Sequence, residues 1–281
     1  AGAGSGASSL VGYFAIHQAF SAIDRMEVRG RDSAGISVLV TSPSFASLSS
    51  ELTGLMAGRT SDPLFTNTSV RHSGSTLVFV YKAAAEIGEL GDNTRVMRNA
   101  VVADALLRLC ISQPNSQVAV LAHTRWASVG IISEPNAHPV NSEELEGKHD
   151  DAYLVAALNG DVDNHADLRV QYGLRVAGPI TTDAKVIPAL VSRRLATTNN
   201  LTDAFRETVA QFEGSVAIAV ASATEPDKLL LALHGSGQGL CIGLAEDRFV
   251  VASEPYGLVE ETLNYVRMDG EALADLDNPS S

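Results

Sequence analysis

Residues 123–139 read His-Thr-Arg-Trp-Ala-Ser-Val-Gly-Ile-Ile-Ser-Glu-Pro-Asn-Ala-His-Pro and follow an apolar, strand-like stretch, Val118 to Ala122. A guanidinium (Arg125), an indole (Trp126) and a hydroxyl (Ser128) fall within four residues of a strand end. That layout suits a loop gripping a small anion, because Arg presents a planar fork of donors to a carboxylate where Lys presents a point charge. Alone, the same run would serve as a salt-bridged surface turn, and a lone Trp as core filling.

Two further segments bear on it. Leu158-Asn159-Gly160 ends the strand-like run from Tyr153, where Asn159 offers an amide donor and Gly160 lets a backbone N–H approach a ligand, the equipment of an oxyanion hole. In Ile180-Thr-Thr-Asp183-Ala-Lys-Val-Ile187 an acid opens a helix-like run, placed to cap it or to receive an ammonium. A fork for a carboxylate, an acid for an ammonium and an amide donor match the three polar ends of glutamine.

Four segments in order, Glu27 to Gly35, His123 to Pro139, Leu158 to Arg169 and Thr182 to Ile187, together resemble the class II glutamine amidotransferase domain. The Thr-Arg-Trp-Ala run with Asn-Ala-His-Pro downstream is most similar to the glutamine–fructose-6-phosphate aminotransferase branch. The resemblance implies an N-terminal nucleophile hydrolase fold, a four-layer αββα sandwich of α+β class. It implies that Arg125 meets the glutamine α-carboxylate, that Asp183 meets its α-amino group, and that Asn159 and Gly160 are the oxyanion donors. Ser128 falls near the substrate and Trp126 at the indole that gates ammonia. Val129 stands where that branch usually has His.

Family members use an N-terminal Cys whose α-amine, with a pKa near about 8, serves as base. Here the run Ser9 to Phe14 resembles the strand behind that nucleophile, so Ser8 takes its place, with seven small residues ahead of it that read as a flexible segment. Three explanations stay open: a catalytically silent relative, an altered or incompletely represented N-terminus, or cleavage before Ser8. Cys110 and Cys241 lie in helix-like and strand-like runs and do not substitute.

The implied function is hydrolysis of glutamine to glutamate and ammonia, for transfer to a sugar phosphate on a sugar-isomerase-type acceptor domain; the alternative is a silent glutamine-binding or scaffolding domain. No metal or organic cofactor is called for. A net charge of −13 without clustered Lys and Arg argues against nucleic acid. Two distant cysteines give no disulfide framework or zinc site and fit a reduced, cytoplasmic setting. No run approaches the roughly 18 apolar residues of a membrane span. A homo-oligomer is compatible with all of this.

Along the chain, residues 1–8 read as a flexible segment, 9–268 as the domain, 41–117 as an insertion-bearing region with one strand and a helix from near Arg95, and the acidic 269–281 as an interdomain linker. Strands are expected at Leu10–Ala15, Gly35–Val40, Thr76–Tyr81, Val118–Ala122, Tyr153–Leu158, Val216–Ala221, Leu229–Leu233, Leu240–Leu244 and Arg248–Ala252. Helices are expected through Val96–Cys110, Ile187–Val191 and Leu201–Phe212. Gly235-Ser-Gly-Gln-Gly239 reads as a hairpin turn rather than a phosphate loop, since no helix follows it. Asp161-Val-Asp163-Asn-His165 lacks the Gly and Glu of a calcium loop. His138 reads as a loop-holding residue rather than a metal ligand, and Arg29 and Asp32 either contact the substrate pocket or pair with each other to fix the turn, the structural role being the reading favoured.

Overall fold

The computed structural model describes residues 6–84, 89–145 and 152–268. In chain order its regular elements are α1 (Ala7–Met26), β1 (Ser33–Thr41), α2 (Ser50–Met56), β2 (Val70–Ser73), β3 (Thr76–Ala83), α3 (Asp92–Ala103), α4 (Ala105–Ile111), β4 (Gln117–Arg125), β5 (Val140–Asn141) and β6 (Leu154–Val162). The second half adds α5 (His165–Gln171), α6 (Val186–Thr198), α7 (Leu201–Val209), β7 (Gly214–Ser222), β8 (Leu229–His234), β9 (Leu240–Leu244), β10 (Phe249–Ala252) and β11 (Tyr265–Met268).

Two four-stranded sheets, ordered β2-β3-β1-β4 and β5-β6-β7-β8, stack face to face, and a small third sheet runs β10-β9-β11. Side chains alternate across each strand, so every strand feeds two layers. In the first sheet Ile36, Val38, Leu77 and Phe79 pack under helices α1 to α4, while in the second Leu154, Leu158, Ile218 and Val220 pack under α6 and α7. The opposite faces, Leu39, Val78, Val80 and Leu121 against Tyr153, Val155, Ala157 and Ala221, meet each other. Helix, sheet, sheet, helix is the αββα sandwich expected.

One element is a correction. Leu10–Ala15 is no strand: it belongs to helix α1, whose buried Ser9, Gly12, Ile16, Phe20 and Ile23 recur every three to four residues down one face. Six apolar residues taken alone cannot distinguish the two periods, and the face shows only when the window extends to Met26. The 3–4 spacing read as one helix through Val96–Cys110 is two, broken at Asp104, which caps α4 by accepting from Leu107 N at 3.1 Å. Within the region read as an insertion, β3 lies beside β1 inside the first sheet, and β2, α2, α3 and α4 accompany it. Residues 1–5 and the acidic 269–281 lie outside the described residues, while Ala7 and Ser8 are helical. No helix among the described residues is long and apolar enough to cross a membrane.

Two lysines are fully buried beside the layer between the sheets. Lys185 Nζ donates to Asn141 O and Oδ1 at 2.6 and 2.7 Å, whereas Lys82 Nζ, on β3, has no hydrogen-bond partner among the described residues and lies 5.3 Å from the Phe65 ring centre. Burial, then the neighbouring Lys185, pulls Lys82 down to about 7 against the weaker pull of Glu134 and Asp62. An unfolded lysine titrates near about 10.4, so between the two values the unfolded chain binds more protons and stability rises with pH. Lys82→Met keeps the stem and removes the buried charge; it is expected to stabilise the fold by about 1–4 kcal/mol at pH 6, a gain that fades as pH climbs toward 10. Urea unfolding at pH 6, 8 and 10 checks it; a gain independent of pH would refute the charge argument.

Candidate functional site

Strand alternation decides where the site lies. On β4 the residues facing the second sheet are Ala119, Leu121, then His123 and Arg125; on β6 they are Val155, Ala157, then Asn159 and Asp161. The layer between the sheets is therefore apolar at one end and polar at the other. All the motif residues of β4 and β6 gather at the polar end.

Arg125 closes β4 and is only 3% exposed. Its Nη2 donates to the carbonyls of Val129 and Gly130 and its Nη1 to that of Ile131 at 3.4 Å, so the guanidinium holds the loop after it in a closed turn. Burial draws its pKa down, and Asp183, Asp32 and Asp161 pull the other way. Asp32 fixes the start of the same loop by accepting from Ala127 N at 2.9 Å. Arg29 pairs instead with Glu254, so the expected Arg29–Asp32 pairing is not formed, although Asp32 does secure a turn. Ser128 Oγ donates to Asp161, and Trp126 stands 72% exposed, clear of the core.

Asp183 sits on the short 3-10 turn Asp183–Lys185 that leads into α6. Its Oδ2 accepts from Val162 N at 2.8 Å, which ties the turn to the end of β6. Burial raises its pKa, and nearby Asp161 adds to the rise. Two further contacts hold the turn: Asn136 Oδ1 accepts from the N–H groups of Thr181 and Thr182 at 2.7 and 2.9 Å, and Arg169 Nη2 donates to Thr182 O at 3.2 Å. Gly130 (φ 86°) packs onto this turn so closely that a Cβ would lie 2.9 Å from Thr182 N.

Asn159 lines a groove of about 470 Å³ that runs beside β4, bounded also by His123, Ala217, Ser253 and the flank of α1. Its side-chain amide makes no hydrogen bond to the described residues and is free to donate into the groove. Gly160 adopts φ 98°, and a Cβ there would lie 1.9 Å from Ser215 O, so packing against β7 already demands glycine.

Ser8 is not brought to this site. It sits in the first turn of α1, where neighbouring Ser9 Oγ donates to Ile111 O at 3.2 Å and Gly12 packs on Val118, at the apolar start of β4. From Val118 to Arg125 a strand spans roughly 23 Å, too far for a Ser8 hydroxyl to meet a ligand held at Arg125. The placement followed from reading 9–14 as a strand, and it fails with that reading. Both cysteines are buried, Cys110 inside the first helical layer with its thiol pushed up to about 12 by burial. Among the described residues no group of three or more His, Cys, Asp and Glu could hold a metal.

Sequence reasoning passed over Asp161, Asn136, Thr182 and Arg169. For Asp161 the signal was available, since period two from Asn159 places it on the same face.

No family model matches the chain. Over 158 residues, 56% of its length, the chain is 32% identical to glutamine–fructose-6-phosphate aminotransferase [isomerizing] of Pseudomonas aeruginosa, and over 162 residues 35% identical to that of Thermosynechococcus vestitus. It spans 24% of the length of each of these relatives. Among solved structures, glutamine phosphoribosylpyrophosphate amidotransferase from B. subtilis matches 89% of this chain with 42% of its own, at a TM-score of 0.56 and 19% identity. The allosteric regulatory enzyme of purine biosynthesis matches equally broadly at a TM-score of 0.57. In sequence the chain is thus similar, over 56% of its length, to glutamine–fructose-6-phosphate aminotransferase, and in fold to glutamine phosphoribosylpyrophosphate amidotransferase, so that it resembles the class II glutamine amidotransferase domain.

Proposed function

We propose that the polar end of the intersheet layer is a glutamine site, and that the chain serves as the amidotransferase half of a system that moves glutamine's amide nitrogen to a sugar phosphate. The observation that carries this is the convergence of Arg125, Asp183 and Asn159 at the polar end of the layer, with Asn159, whose amide has no partner among the described residues, lining the open groove. In this reading Arg125 takes the α-carboxylate, Asp183 the α-ammonium, and Ser128 borders the substrate. A nucleophile adds to the side-chain amide carbon, and the oxyanion that forms accepts from Asn159 Nδ2 and Gly160 N–H. Collapse of that adduct, with the nucleophile's proton passing to the leaving nitrogen, expels ammonia past Trp126, and water then cleaves the acyl–nucleophile bond to release glutamate and restore the protonated nucleophile. The sugar phosphate that accepts the nitrogen is held by a sugar-isomerase-type module.

A second reading keeps the glutamine site and drops the chemistry. It is favoured by the position of Ser8 at the far end of β4 and by the burial of both thiols. Calorimetry with glutamine, run beside an ammonia-release assay on the same preparation, separates the cases. Binding with turnover supports the first, binding without turnover supports the second, and no binding removes the site assignment.

A further inference from the structure

We infer that His138 is a positioning residue whose ring, in the Nε2–H tautomer, ties the Asn159 strand end to the Asp183 carboxylate. Strand β5 pairs Val140 with Ala156, so two positions further along that ladder residue 138 would stand opposite Leu158. There the backbone does not continue the ladder; the imidazole takes its place. Nδ1 lies 3.4 Å from Leu158 N and 3.2 Å from Leu158 O, and Nε2 lies 3.1 Å from Thr182 Oγ1. Thr182 Oγ1 in turn donates to Asp183 Oδ1 at 3.3 Å. One ring thus touches the residue before Asn159 and the residue before Asp183.

Counting protons selects the tautomer. A threonine hydroxyl has one proton, and a neutral imidazole has one N–H and one acceptor nitrogen. With the proton on Nε2, the ring donates to Thr182, Thr182 donates to Asp183, and Nδ1 accepts from Leu158 N–H. With the proton on Nδ1, the ring would donate to Leu158 O and Nε2 would claim the Thr182 proton, but Asp183 Oδ1 and Leu158 N–H would each lose a partner, leaving two bonds in place of three. His138 is buried and stays neutral, since burial and the adjacent His123, Arg125 and Lys82 all push its pKa well below the ordinary value. Tautomer choice, not charge, is what sets the direction of this chain of bonds.

Nitrogen-15 NMR of the full chain reads this directly, without any ligand. The His138 ring is expected to show a protonated Nε2 and a bare Nδ1; a protonated Nδ1, or an imidazolium, overturns the inference. The functional arm rests on the glutamine reading above. Thr182→Val keeps shape and removes the hydroxyl, so glutamine affinity should fall about 10- to 100-fold, the worth of one hydrogen bond to a charged group. Affinity for glutaramate, which lacks the α-amino group, should change less than about twofold. Equal loss for both ligands would mean a general collapse and overturn the positioning role. A parent chain that ignores glutamine would instead retire the pocket reading, and the tautomer measurement would still decide His138.

Discussion

Replacing Arg125 with alanine is expected to weaken glutamine binding by about 2–5 kcal/mol, the cost of removing one member of a desolvated, charge-assisted pair. The magnitude follows from the site's geometry. Arg125 is nearly inaccessible to water, faces three carboxylates, and closes the loop through the carbonyls of Val129, Gly130 and Ile131. Alanine would remove the counter-charge that Asp32, Asp161 and Asp183 share, leaving Arg169 beside Asp183, and would leave a glutamine carboxylate without a partner. Arg125→Lys should recover little, because a point charge reproduces neither the paired donors nor the grip on the loop. Titration calorimetry at constant pH measures the loss, with circular dichroism confirming that the variant is folded. Unchanged affinity in a folded variant would remove the carboxylate assignment.

Gly160→Ala should lower the stability of the fold by about 3–5 kcal/mol, at the severe end for one substitution. Two independent costs combine there. The backbone sits at φ 98°, which L side chains avoid, and the added Cβ would stand 1.9 Å from the carbonyl of Ser215 on the paired strand. Gly173 is the natural control: its φ is 56° but nothing lies within 4 Å of a Cβ, so Gly173→Ala should cost only about 1 kcal/mol. Denaturant unfolding of the two variants side by side checks the comparison, and equal small losses would show that β7 yields freely. The pair also bears on function, since a glycine demanded by packing needs no oxyanion role to explain it. For Asn159, whose amide has no partner among the described residues, packing supplies no such explanation.

Much of the polar end of the fold was legible in the sequence because it obeys local rules. Period-two alternation along Val118 to Arg125 and Leu154 to Asp161 places the motif residues on one face, and the order of the four segments carries the fold. What escaped was non-local. The helical face of α1 shows only beyond the six residues that imitate a strand, and the error there carried Ser8 with it. The break at Asp104 depends on Arg59 and Tyr81, distant residues that turn its carboxylate into a hub as well as a cap. The strands β2 and β11, of four residues, and β5, of two, carry too little pattern to stand out, although β10, also of four residues, lies within an expected strand. Closure of the Arg125 loop depends on Thr181 and Gly130 meeting across the sequence, and no spacing announces that.

The layer between the two sheets is built unevenly, like a book bound along one side. On the β3 side it holds Phe65, Val78, Val80 and Tyr153, large side chains in mutual contact, whereas on the β4–β7 side it is mostly alanine: Ala119, Ala157, Ala219 and Ala221. Small side chains bury little apolar area, so parting the sheets along the alanine margin sacrifices far less than parting them at the bound spine. Each sheet keeps its own helical layer as a separate core, and these outer cores need not change when the margin opens. The groove beside Asn159 lies along that margin. Any widening of it by parting the sheets would therefore cost less apolar burial along this margin than along the spine.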